Sequence, residues 1–451
     1  MIRLVLVMMI LALPAMADFM VLTTDFSSTG GVTSIQNDAP WNANIDVAQV
    51  SGDAVSRWHD GLYYVVNRTD SNIQVIDPSD WSTVMQVSVG VGKNPKDIAF
   101  APNGTVWVSC YDSAELLQLD PVTLATVQSY STAEFADADG LPETSWITRV
   151  NDRLYICNQR LDRNNYWGPA DYSQLIVFDT ITENWVDVDA GTAGTQGILL
   201  NGTNPFCQPE PREDGTILVG TTGFYGSLDG GIEVVDTNTL TSSGFIITEA
   251  DLGNDLLDFA DADGYGYVVI ANDIWGNDML RYEGTSVEAV LTSDGWDYSH
   301  IVIDGNQLLL CDRAYTSPGV RVFETTTGVE LTTAPIATGL APFMITLPED
   351  GGVTDVPAAI AELKMSAPWP NPANPSTSFS VTVPNGTVVQ MKVMDMRGRV
   401  VRSASVTASG QNASWSFNGL SDSGSAVASG IYRCVAVSNS GTATRTFTIV
   451  R

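Results

Sequence analysis

Histidine is the side chain that most readily exchanges a proton near neutral pH, and the sequence contains two of them. His300 lies in GWDYSHIVI beside Asp297 and Tyr298, where an imidazole could act as a general base. His59, in WHDG, is predicted to lie in a solvated turn. The sequence shows no convergent nucleophile, base and orienting group. We therefore assign no catalytic residue, keep His300 as a candidate, and favour binding over catalysis.

Aromatic side chains are concentrated in polar segments between apolar stretches, as in NQRLDRNNYWGPADYSQ (158–174), NDIWGND (272–278) and DRAYTSPG (312–319). Rings beside Asn, Asp and Arg suit a sugar, whose C–H faces stack while its hydroxyl groups form hydrogen bonds. The alternative is that these rings only fill loops and seams. The predicted ligand-binding residues are Arg160, Tyr166, Trp167, Asn272, Trp275, Tyr298, Asp312 and Arg313.

Neither the cysteines nor the acidic motifs indicate a cofactor. No Cys-x-x-Cys or Cys/His cluster occurs, and Cys110, Cys157 and Cys311 are predicted to be small core residues. Asp-Ala-Asp-Gly occurs at 137–140 and 261–264, but Asp-Gly turns explain both copies better than calcium loops. We predict neither a metal nor a cofactor.

The chain is built from repeats that must position these segments. Each copy has a turn, an apolar strand, a polar loop and a second apolar strand closed by an acid, as in GTVWVSCYDSAELLQLDPVTL (104–124). Six copies occur, 41 to 59 residues apart, which is room for the four short strands of a propeller blade. The closing acids are Asp77, Asp120, Asp179, Asp236, Glu283 and Glu324.

The two ends of this region supply one further copy. FMVLTTDFSSTGGVTSIQ (19–36) and NIDVAQV (44–50) provide three strands, and APFMITLPEDGG (341–352) provides the missing inner strand. A blade built from both ends would close the ring and leave no open sheet edge. The sequence thus predicts an all-β protein with a seven-bladed β-propeller, six blades being the alternative.

NPKDIAFAPNGTVWVSCYDSAELLQLDPVTLATV and VVDTNTL resemble the YVTN-type repeats of bacterial surface and periplasmic propellers. The resemblance covers most of residues 19–347 and implies the fold but no fixed chemistry. In such a fold the loop after the second strand of each blade shares a face with the segments that enter the first strands. The predicted binding residues would lie on that face, together with the scarce cations Arg68 and Arg163.

Charge and hydropathy divide the chain further. MIRLVLVMMILALPAMA (1–17) has the basic start, short apolar run and Ala-x-Ala end of a signal peptide, so we predict a mature start at Asp18. No later stretch is long enough for a transmembrane segment. Residues 364–451 carry eight Lys and Arg against two acids, whereas the whole chain carries −31. We predict a propeller over 18–350, a linker over 351–363 and a basic domain over 364–451; the acidic unit should repel nucleic acid.

The basic domain begins with PWPNPANPSTSFSVTVP (368–384) and continues through VVQMKVMDMRGRVVRSASV and SFNGLSDSGSAVASGIYRCVAV to TRTFTIVR. These ordered motifs resemble the C-terminal sorting domain of type IX secretion, and also the Ig-like domain of the flagellar hook-capping protein. Alternating strands predict a small Ig-like β-sandwich. The resemblance implies two partners for 364–451: the type IX machinery and anionic surface lipopolysaccharide. The alternative is a retained Ig-like spacer.

Together these features predict a secreted or surface-displayed binding or adhesion module for a carbohydrate or another extracellular ligand. The alternative is a secreted polysaccharide lyase, hydrolase or lactonase that uses the same loop face.

Overall fold

A computed structural model of the protein describes residues 18–272, 275–348, 364–383, 387–395, 400–408, 412–438 and 441–450. The chain divides into two compact units, 1–356 and 357–451. Apart from one four-residue helix, Glu249–Leu252, and two 3-10 turns, the regular elements of the described residues are strands, which confirms the all-β class. The predicted signal peptide (1–17) and linker (351–363) lie outside the described residues.

Short strands are the main regular elements of the first unit. In chain order, the first eleven are β1 (Phe19–Thr24), β2 (Thr29–Ile35), β3 (Ala43–Ser51), β4 (Ala54–His59), β5 (Leu62–Asn67), β6 (Asn72–Asp77), β7 (Ser82–Ser88), β8 (Pro95–Phe100), β9 (Val106–Cys110), β10 (Glu115–Leu119) and β11 (Thr126–Ser131). The next eleven are β12 (Thr144–Val150), β13 (Arg153–Asn158), β14 (Leu161–Asp162), β15 (Gly168–Pro169), β16 (Gln174–Asp179), β17 (Asn184–Val186), β18 (Ile198–Leu199), β19 (Glu210–Pro211), β20 (Thr216–Thr221), β21 (Gly231–Asp236) and β22 (Thr241–Thr248). The last nine are β23 (Leu256–Asp261), β24 (Tyr265–Ala271), β25 (Asn277–Glu283), β26 (Ser286–Leu291), β27 (Tyr298–Asp304), β28 (Gln307–Asp312), β29 (Gly319–Glu324), β30 (Ile336–Ala337) and β31 (Ala341–Thr346).

Within the described residues of this unit, these strands form seven antiparallel sheets of four or five strands and one small hairpin, β14–β15. The sheet that the sequence predicts from both ends is present: its order is β3-β2-β1-β31, with Met20 opposite Thr346. Five of the other six contain four consecutive strands each: β4–β7, β8–β11, β19–β22, β23–β26 and β27–β30. The sixth has the order β12-β13-β16-β17, and β18 also pairs with β16. Seven sheets is the number predicted for the blades.

The first strands of these sheets follow one another around a closed ring. β31 lies beside β4, β4 beside β8, β8 beside β12 and β12 beside β19; β20 of that sheet lies beside β23, and β23 lies beside β27, which returns to β31. Each seam between neighbouring sheets holds apolar side chains, including the closing seam, where Phe19 and Val21 pack with Leu309 and Val320. Inner strands are therefore covered on both faces, which explains their continuous apolar runs such as ILVG in β20. Outer strands such as β7 and β11 are largely exposed and polar.

The acids that close the repeats have a common local role. In five copies the carboxylate accepts hydrogen bonds from backbone N–H groups two or three residues later, as Asp120 does from Val122 and Thr123 at 3.0 and 2.8 Å. The residue four positions after the acid has a positive φ, for example 54° at Leu124 and 67° at Gly328. The repeated acid thus caps the tight turn into the fourth strand.

The second unit consists of β32 (Lys364–Met365), β33 (Thr377–Thr382), β34 (Val388–Asp395), β35 (Val400–Thr407), β36 (Asn412–Phe417), β37 (Gly430–Ser438) and β38 (Gly441–Ile449). They form two sheets, β32-β33-β36 and β35-β34-β37-β38, that share one core around Phe379, Phe417 and Phe447. The proline-rich segment lies beside the last strand, where the Ala373 N–H donates to the Thr448 carbonyl at 2.7 Å. The predicted two-sheet sandwich is present.

Candidate ligand-binding site

A cavity of about 420 Å³ lies on the axis of the ring. Its position follows from its lining, because every first strand, or the residues just before it, contributes at least one residue. A space that touches all first strands of a closed ring must lie at the centre. The contributing residues are Val55, Lys96, Trp146, Gln208, Leu257, Tyr298 and Phe343.

A second group of lining residues comes from the loops that follow the second strands. Arg68, Tyr111, Gln159 and Arg313 each stand directly after the last residue of β5, β9, β13 and β28, respectively. These four side chains therefore occupy the same position of the repeat. Of the eight predicted binding residues, Tyr298 and Arg313 line this cavity, and so does Arg68, one of the predicted face cations.

Exposed aromatic side chains lie on the loops around the cavity. Tyr166 and Trp275 are 96% and 83% exposed, and the loops of the neighbouring repeats carry the exposed rings of Phe26, Tyr225 and Tyr315. These side chains occupy loops between second and third strands, the face that the sequence predicts for binding.

Trp167 connects the loops to the cavity. Its ring lies parallel to the ring of Tyr111, with centroids 6.4 Å apart, and the Arg163 guanidinium lies 4.6 Å from its centre. Arg163 is itself held by Glu143 at 2.8 Å and Asp112 at 2.9 Å. Because Tyr111 lines the cavity, Trp167 is placed at its edge rather than at a free loop tip.

Three predicted binding residues already have hydrogen-bond or ion-pair partners within the propeller. Arg160 is 7% exposed, donates to Asp171 at 3.2 Å and lies 3.7 Å from the centre of the Tyr172 ring. Asn272 donates to the Ser293 carbonyl at 2.7 Å and accepts from Gly276 N–H at 2.8 Å.

Asp312 likewise has a partner of its own, because its buried carboxylate is ion-paired with Arg321 at 2.6 Å. None of these three residues is among those that line the cavity. The structure therefore does not bring the eight predicted residues into one surface.

Below the cavity the channel narrows to a space of about 60 Å³, bordered by Arg57, Glu210, Asp258 and His300. His300 and Asp258 border both spaces. Burial, aided by Arg57, lowers the pKa of His300 to about 4, so the ring is neutral at pH 7. Its Nδ1 accepts the Ile345 N–H at 3.3 Å, which places the ring proton on Nε2. At neutral pH this side chain offers the channel a donor.

Carboxyl groups in the channel are shifted in the opposite direction. Burial raises the pKa of Asp258 to about 7 and that of Glu210 to about 8, although each accepts a backbone N–H at 3.0 Å. Glu210 also borders a wider opening of about 750 Å³ with Arg212 and Asp261. Asp258, near the start of β23, borders the cavity, whereas Asp261, at the end of the same strand, borders this opening. Gln208 and Arg212, on either side of β19, are divided in the same way. The cavity and this opening therefore lie at opposite ends of the channel.

Arg57 joins four parts of the ring. Its guanidinium pairs with Asp97 at 2.7 Å and donates to Gln208 at 2.8 Å, and it lies 5.3 Å from the centre of the Trp146 ring. Asp97 in turn accepts the Ile147 N–H at 2.8 Å. These bonds connect β4, β8, β12 and the segment before β19 beneath the cavity floor.

Two other sequence-based assignments have a definite outcome. His59 is the last residue of β4, directly before the hairpin turn, and its ring, 38% exposed, stacks on Phe100 with centroids 3.9 Å apart. The first Asp-Ala-Asp-Gly segment does form a turn, yet its Asp137 and Asp139 approach Glu143 closely enough that the three carboxylates fall within 4.8 Å. Glu143 is ion-paired with Arg163, so the protein supplies a cation to this group.

The cavity residues that the sequence reasoning missed are Lys96, Tyr111, Trp146 and Phe343. It sought binding residues in loops, whereas Lys96, Trp146 and Phe343 lie in strands. The signal that could have identified them is position in the repeat, meaning the early residues of each first strand and the first residue after each second strand.

Comparison with known proteins assigns the second unit. Residues 368–450 match the family of secretion system C-terminal sorting domains. No curated protein matches the chain.

Several solved structures resemble the chain at low identity. PorZ of Porphyromonas gingivalis, described as a surface component of the type IX secretion system, is 12% identical with a TM-score of 0.40, covering 94% of this chain and 56% of its own. The extracellular domain of BT4673 from B. thetaiotaomicron is 12% identical with a TM-score of 0.41, covering 88% and 57%. A functionally unknown protein from Desulfotomaculum acetoxidans is 12% identical with a TM-score of 0.47, covering 74% and 100%. The chain thus spans little more than half the length of the first two.

Within the described part of the chain, no helix has the length and apolar character needed to cross a membrane. A sorting domain of this family directs its protein out of the cell through the type IX pathway. The chain is therefore a secreted or cell-surface β-propeller that carries a type IX C-terminal sorting domain at residues 368–450.

Proposed function

We propose that the protein is an extracellular binding module whose ligand, a carbohydrate, enters the axial cavity from the loop face. The observation that carries the proposal is the composition of the cavity, which combines aromatic rings with a few polar groups in about 420 Å³. Ligand pockets of this size and composition are common in proteins, and sugars stack on such rings. Its aromatic lining residues are Tyr111, Trp146, Phe206, Trp296, Tyr298 and Phe343.

The lining polar groups suit the same ligand class. Gln159, Asn204, Gln208 and Ser299 border the cavity with side chains that both donate and accept hydrogen bonds. A sugar hydroxyl needs both functions at once. The loop aromatics around the opening, with Tyr315, Tyr166 and Trp275 the most exposed, extend the stacking surface outward.

Glycan-array screening of the full mature chain, followed by calorimetry on a hit, tests the proposal. Trp296→Ala, at the cavity, should weaken binding by about 1 to 3 kcal/mol, the range seen when anchor residues are truncated at interfaces. Trp275→Ala is the comparison variant and should weaken binding less, because this ring lies on an outer loop and is not among the cavity-lining residues. Unchanged affinity in Trp296→Ala, or absence of any glycan hit, contradicts the proposal.

Melting temperature is the second readout. Trp167→Ala and Trp275→Ala should change it little, since loop residues contribute little to a core. If both variants lose several degrees while affinity is unchanged, these rings are structural and the extended surface does not exist.

A second candidate function is a lyase or hydrolase acting in the same cavity. It is favoured by Asp258, whose pKa of about 7 and position at the cavity floor suit acid–base catalysis. Incubation with the bound glycan should then release products, and Asp258→Asn should abolish their release without loss of binding. His300 fits this role less well because its Nδ1 is occupied.

For the sorting domain we propose contact with anionic surface lipopolysaccharide, as its net positive charge suggests. Lys392 and Arg433 are exposed on the outer face of the larger sheet, between buried neighbours. Replacing both by Glu should reduce retention on lipopolysaccharide-coated beads, whereas Ser405→Glu, on the exposed strand beside them, should reduce it less.

A further inference from the structure

Positive charge is concentrated in the cavity although the propeller is strongly acidic. Residues 364–451 carry +6 and the whole chain −31, so the rest carries −37. Even so, the cavity is lined by three cations, Arg68, Lys96 and Arg313, against the single carboxyl of Asp258. Such a reversal of sign in one cavity is not explained by solubility, which depends on outer surface charge.

These cations are incompletely paired within the described residues. Lys96 Nζ has no carboxylate within ion-pair distance there and lies 4.9 Å from the centre of the Tyr111 ring. Arg68 pairs with Asp53 through one terminal nitrogen, and its buried Nε has no partner. Arg313 donates to the Trp296 carbonyl at 3.0 Å, and its Nε is likewise unpartnered.

Removing cations from water with only part of their hydrogen bonds replaced is unfavourable. Desolvation, with a contribution from Arg68, lowers the pKa of Lys96 to about 7. An anion seated among the three side chains would compensate for this loss and would be held by charge-assisted hydrogen bonds, which are stronger than neutral ones. The aromatic walls would cover the remainder of the same molecule.

We propose that the ligand of this cavity is an acidic sugar, whose carboxylate is held by Arg68, Lys96 and Arg313 and whose ring packs against Trp146 and Trp296. This inference rests on the proposed carbohydrate-binding function and narrows it to uronic or sialic acid residues. The neutral polar residues Gln159 and Gln208 lie in the same lining. Gln159 Nε2 and Gln208 Oε1 are bonded within the protein, so Gln159 Oε1 and Gln208 Nε2 are the atoms that take the hydroxyl groups.

Paired glycans that differ only in charge test the inference on the full mature chain. One pair is trigalacturonate and its fully methyl-esterified form; the other is sialyllactose and lactose. At least one acidic member should bind more than 10-fold tighter than its neutral partner. Raising the salt concentration should weaken acid binding and leave neutral binding unchanged, because ionic contacts are screened.

Variants separate the cavity from general electrostatics. Lys96→Met and Arg313→Gln should each weaken the acidic glycan about 10-fold or more, with less than a twofold effect on its neutral partner. Lys93→Met is the matched control, since this lysine lies three residues away, is tied to Glu115 at 2.6 Å and does not line the cavity. Lys96→Met should melt no lower than the parent, because it removes an amine whose charged form is disfavoured by desolvation and has no ion-pair partner in the described residues.

The outcomes distinguish the two proposals. Equal binding of both members of each pair, or an equal loss in Lys93→Met and Lys96→Met, overturns the acidic-sugar inference and leaves carbohydrate binding intact. Failure of all four glycans to bind overturns the acidic-sugar inference, and if the wider array also gives no hit, the proposed function falls with it.

Discussion

Arg57 and Asp97 form the most deeply buried ion pair of the propeller, with side chains 1% and 0% exposed. Removing one partner of this pair should be strongly destabilising, because the other charge then remains buried without a partner. We expect Arg57→Met to lower the free energy of unfolding by about 3 to 5 kcal/mol, measured by denaturant titration. Arg281→Met is the control and should cost about 1 kcal/mol or less, since the ion pairs of Arg281 within the described residues are with the exposed carboxylates of Glu283 and Glu288. Similar losses in both variants would contradict this role.

Glu210 gives the stability of the propeller a pH dependence whose sign can be derived. Burial raises its pKa from 4.5 to about 8, so between these values the folded protein holds a proton that the unfolded chain has released. The contribution of Glu210 to stability must then fall as pH rises from about 5 to 8. Lys96, whose pKa is lowered to about 7, acts in the opposite direction above pH 7. Glu210→Gln removes the Glu210 titration, so the melting temperature of the variant should fall less, or rise more, than that of the wild type over that range.

Glu213→Gln is the matched control for this titration, because Glu213 is an exposed neighbour on the same chain segment. It should keep the wild-type slope. Asp258 acts in the same direction as Glu210, so part of this pH dependence should remain in Glu210→Gln. A slope identical to that of the wild type would show that Glu210 is charged in the folded state.

The residues of the site could be predicted only in part. Tyr298 and Arg313 were identified because aromatic and cationic residues in polar loops are unusual in sequence. Lys96 in PKDIAF and Trp146 in TSWITRV look like ordinary strand residues, and only their place in the ring makes them cavity residues. Asp312 and Asn272 look like ligand-binding residues in sequence, but their partners are supplied by residues such as Arg321 and Ser293 that fold beside them.

At the scale of elements, removing strand β31 tests whether the sheet built from both ends of the propeller stabilises the ring. It pairs with β1 through Val21 and Leu22 and also lies beside β4 and β27. Without it, a sheet edge and two seams would be exposed. We expect a chain of residues 18–340 to melt at least 10 °C below a chain of residues 18–350, by calorimetry.

The chain 18–350, compared with 18–451, is the control for this truncation. It should keep its melting transition, because the sorting domain forms a separate compact unit. Equal melting of 18–340 and 18–350 would mean that six sheets suffice and that the closing strand is dispensable.

Most strands could be predicted because inner strands read as continuous apolar runs and five of the repeats end in a turn-capping acid. The pattern fails in two neighbouring sheets, the one that begins with β12 and the one that begins with β19. The chain between β17 and β19 is long and adds the unforeseen strand β18 to the first of them, while β19 itself has only two residues. Irregular segments of this kind are shaped by contacts with their neighbours, such as Asn201 N–H with Glu233 at 2.9 Å, and carry no periodicity of their own.

At the scale of the whole molecule, export depends on the C-terminal unit. Deleting residues 364–451 should leave a folded propeller in the periplasm of a type IX-competent host, because the sorting domain is the part that the machinery handles. Fractionation and surface proteolysis measure this. A chain in which Lys392 and Arg433 are replaced by Gln should still be exported, since the sorting fold is kept. Surface delivery of the truncated chain would contradict the sorting role.

The sheet shared by both ends of the propeller also has a kinetic consequence. Hairpins within the other sheets form between residues that are at most tens of positions apart, but Met20 and Thr346 are separated by roughly 320 residues of chain. Loop-closure entropy grows slowly, by about 0.6 kcal/mol per doubling of length, so this separation adds only about 2 kcal/mol relative to a 40-residue loop. The rate suffers more than the stability, because contacts so distant in sequence form late. A nascent chain emerging from the inner membrane would therefore contain six sheets that can fold locally, while β1 would lack its partner β31 until the last propeller residues have emerged. The sorting domain follows these residues in the chain, so it becomes available only when the ring is able to close.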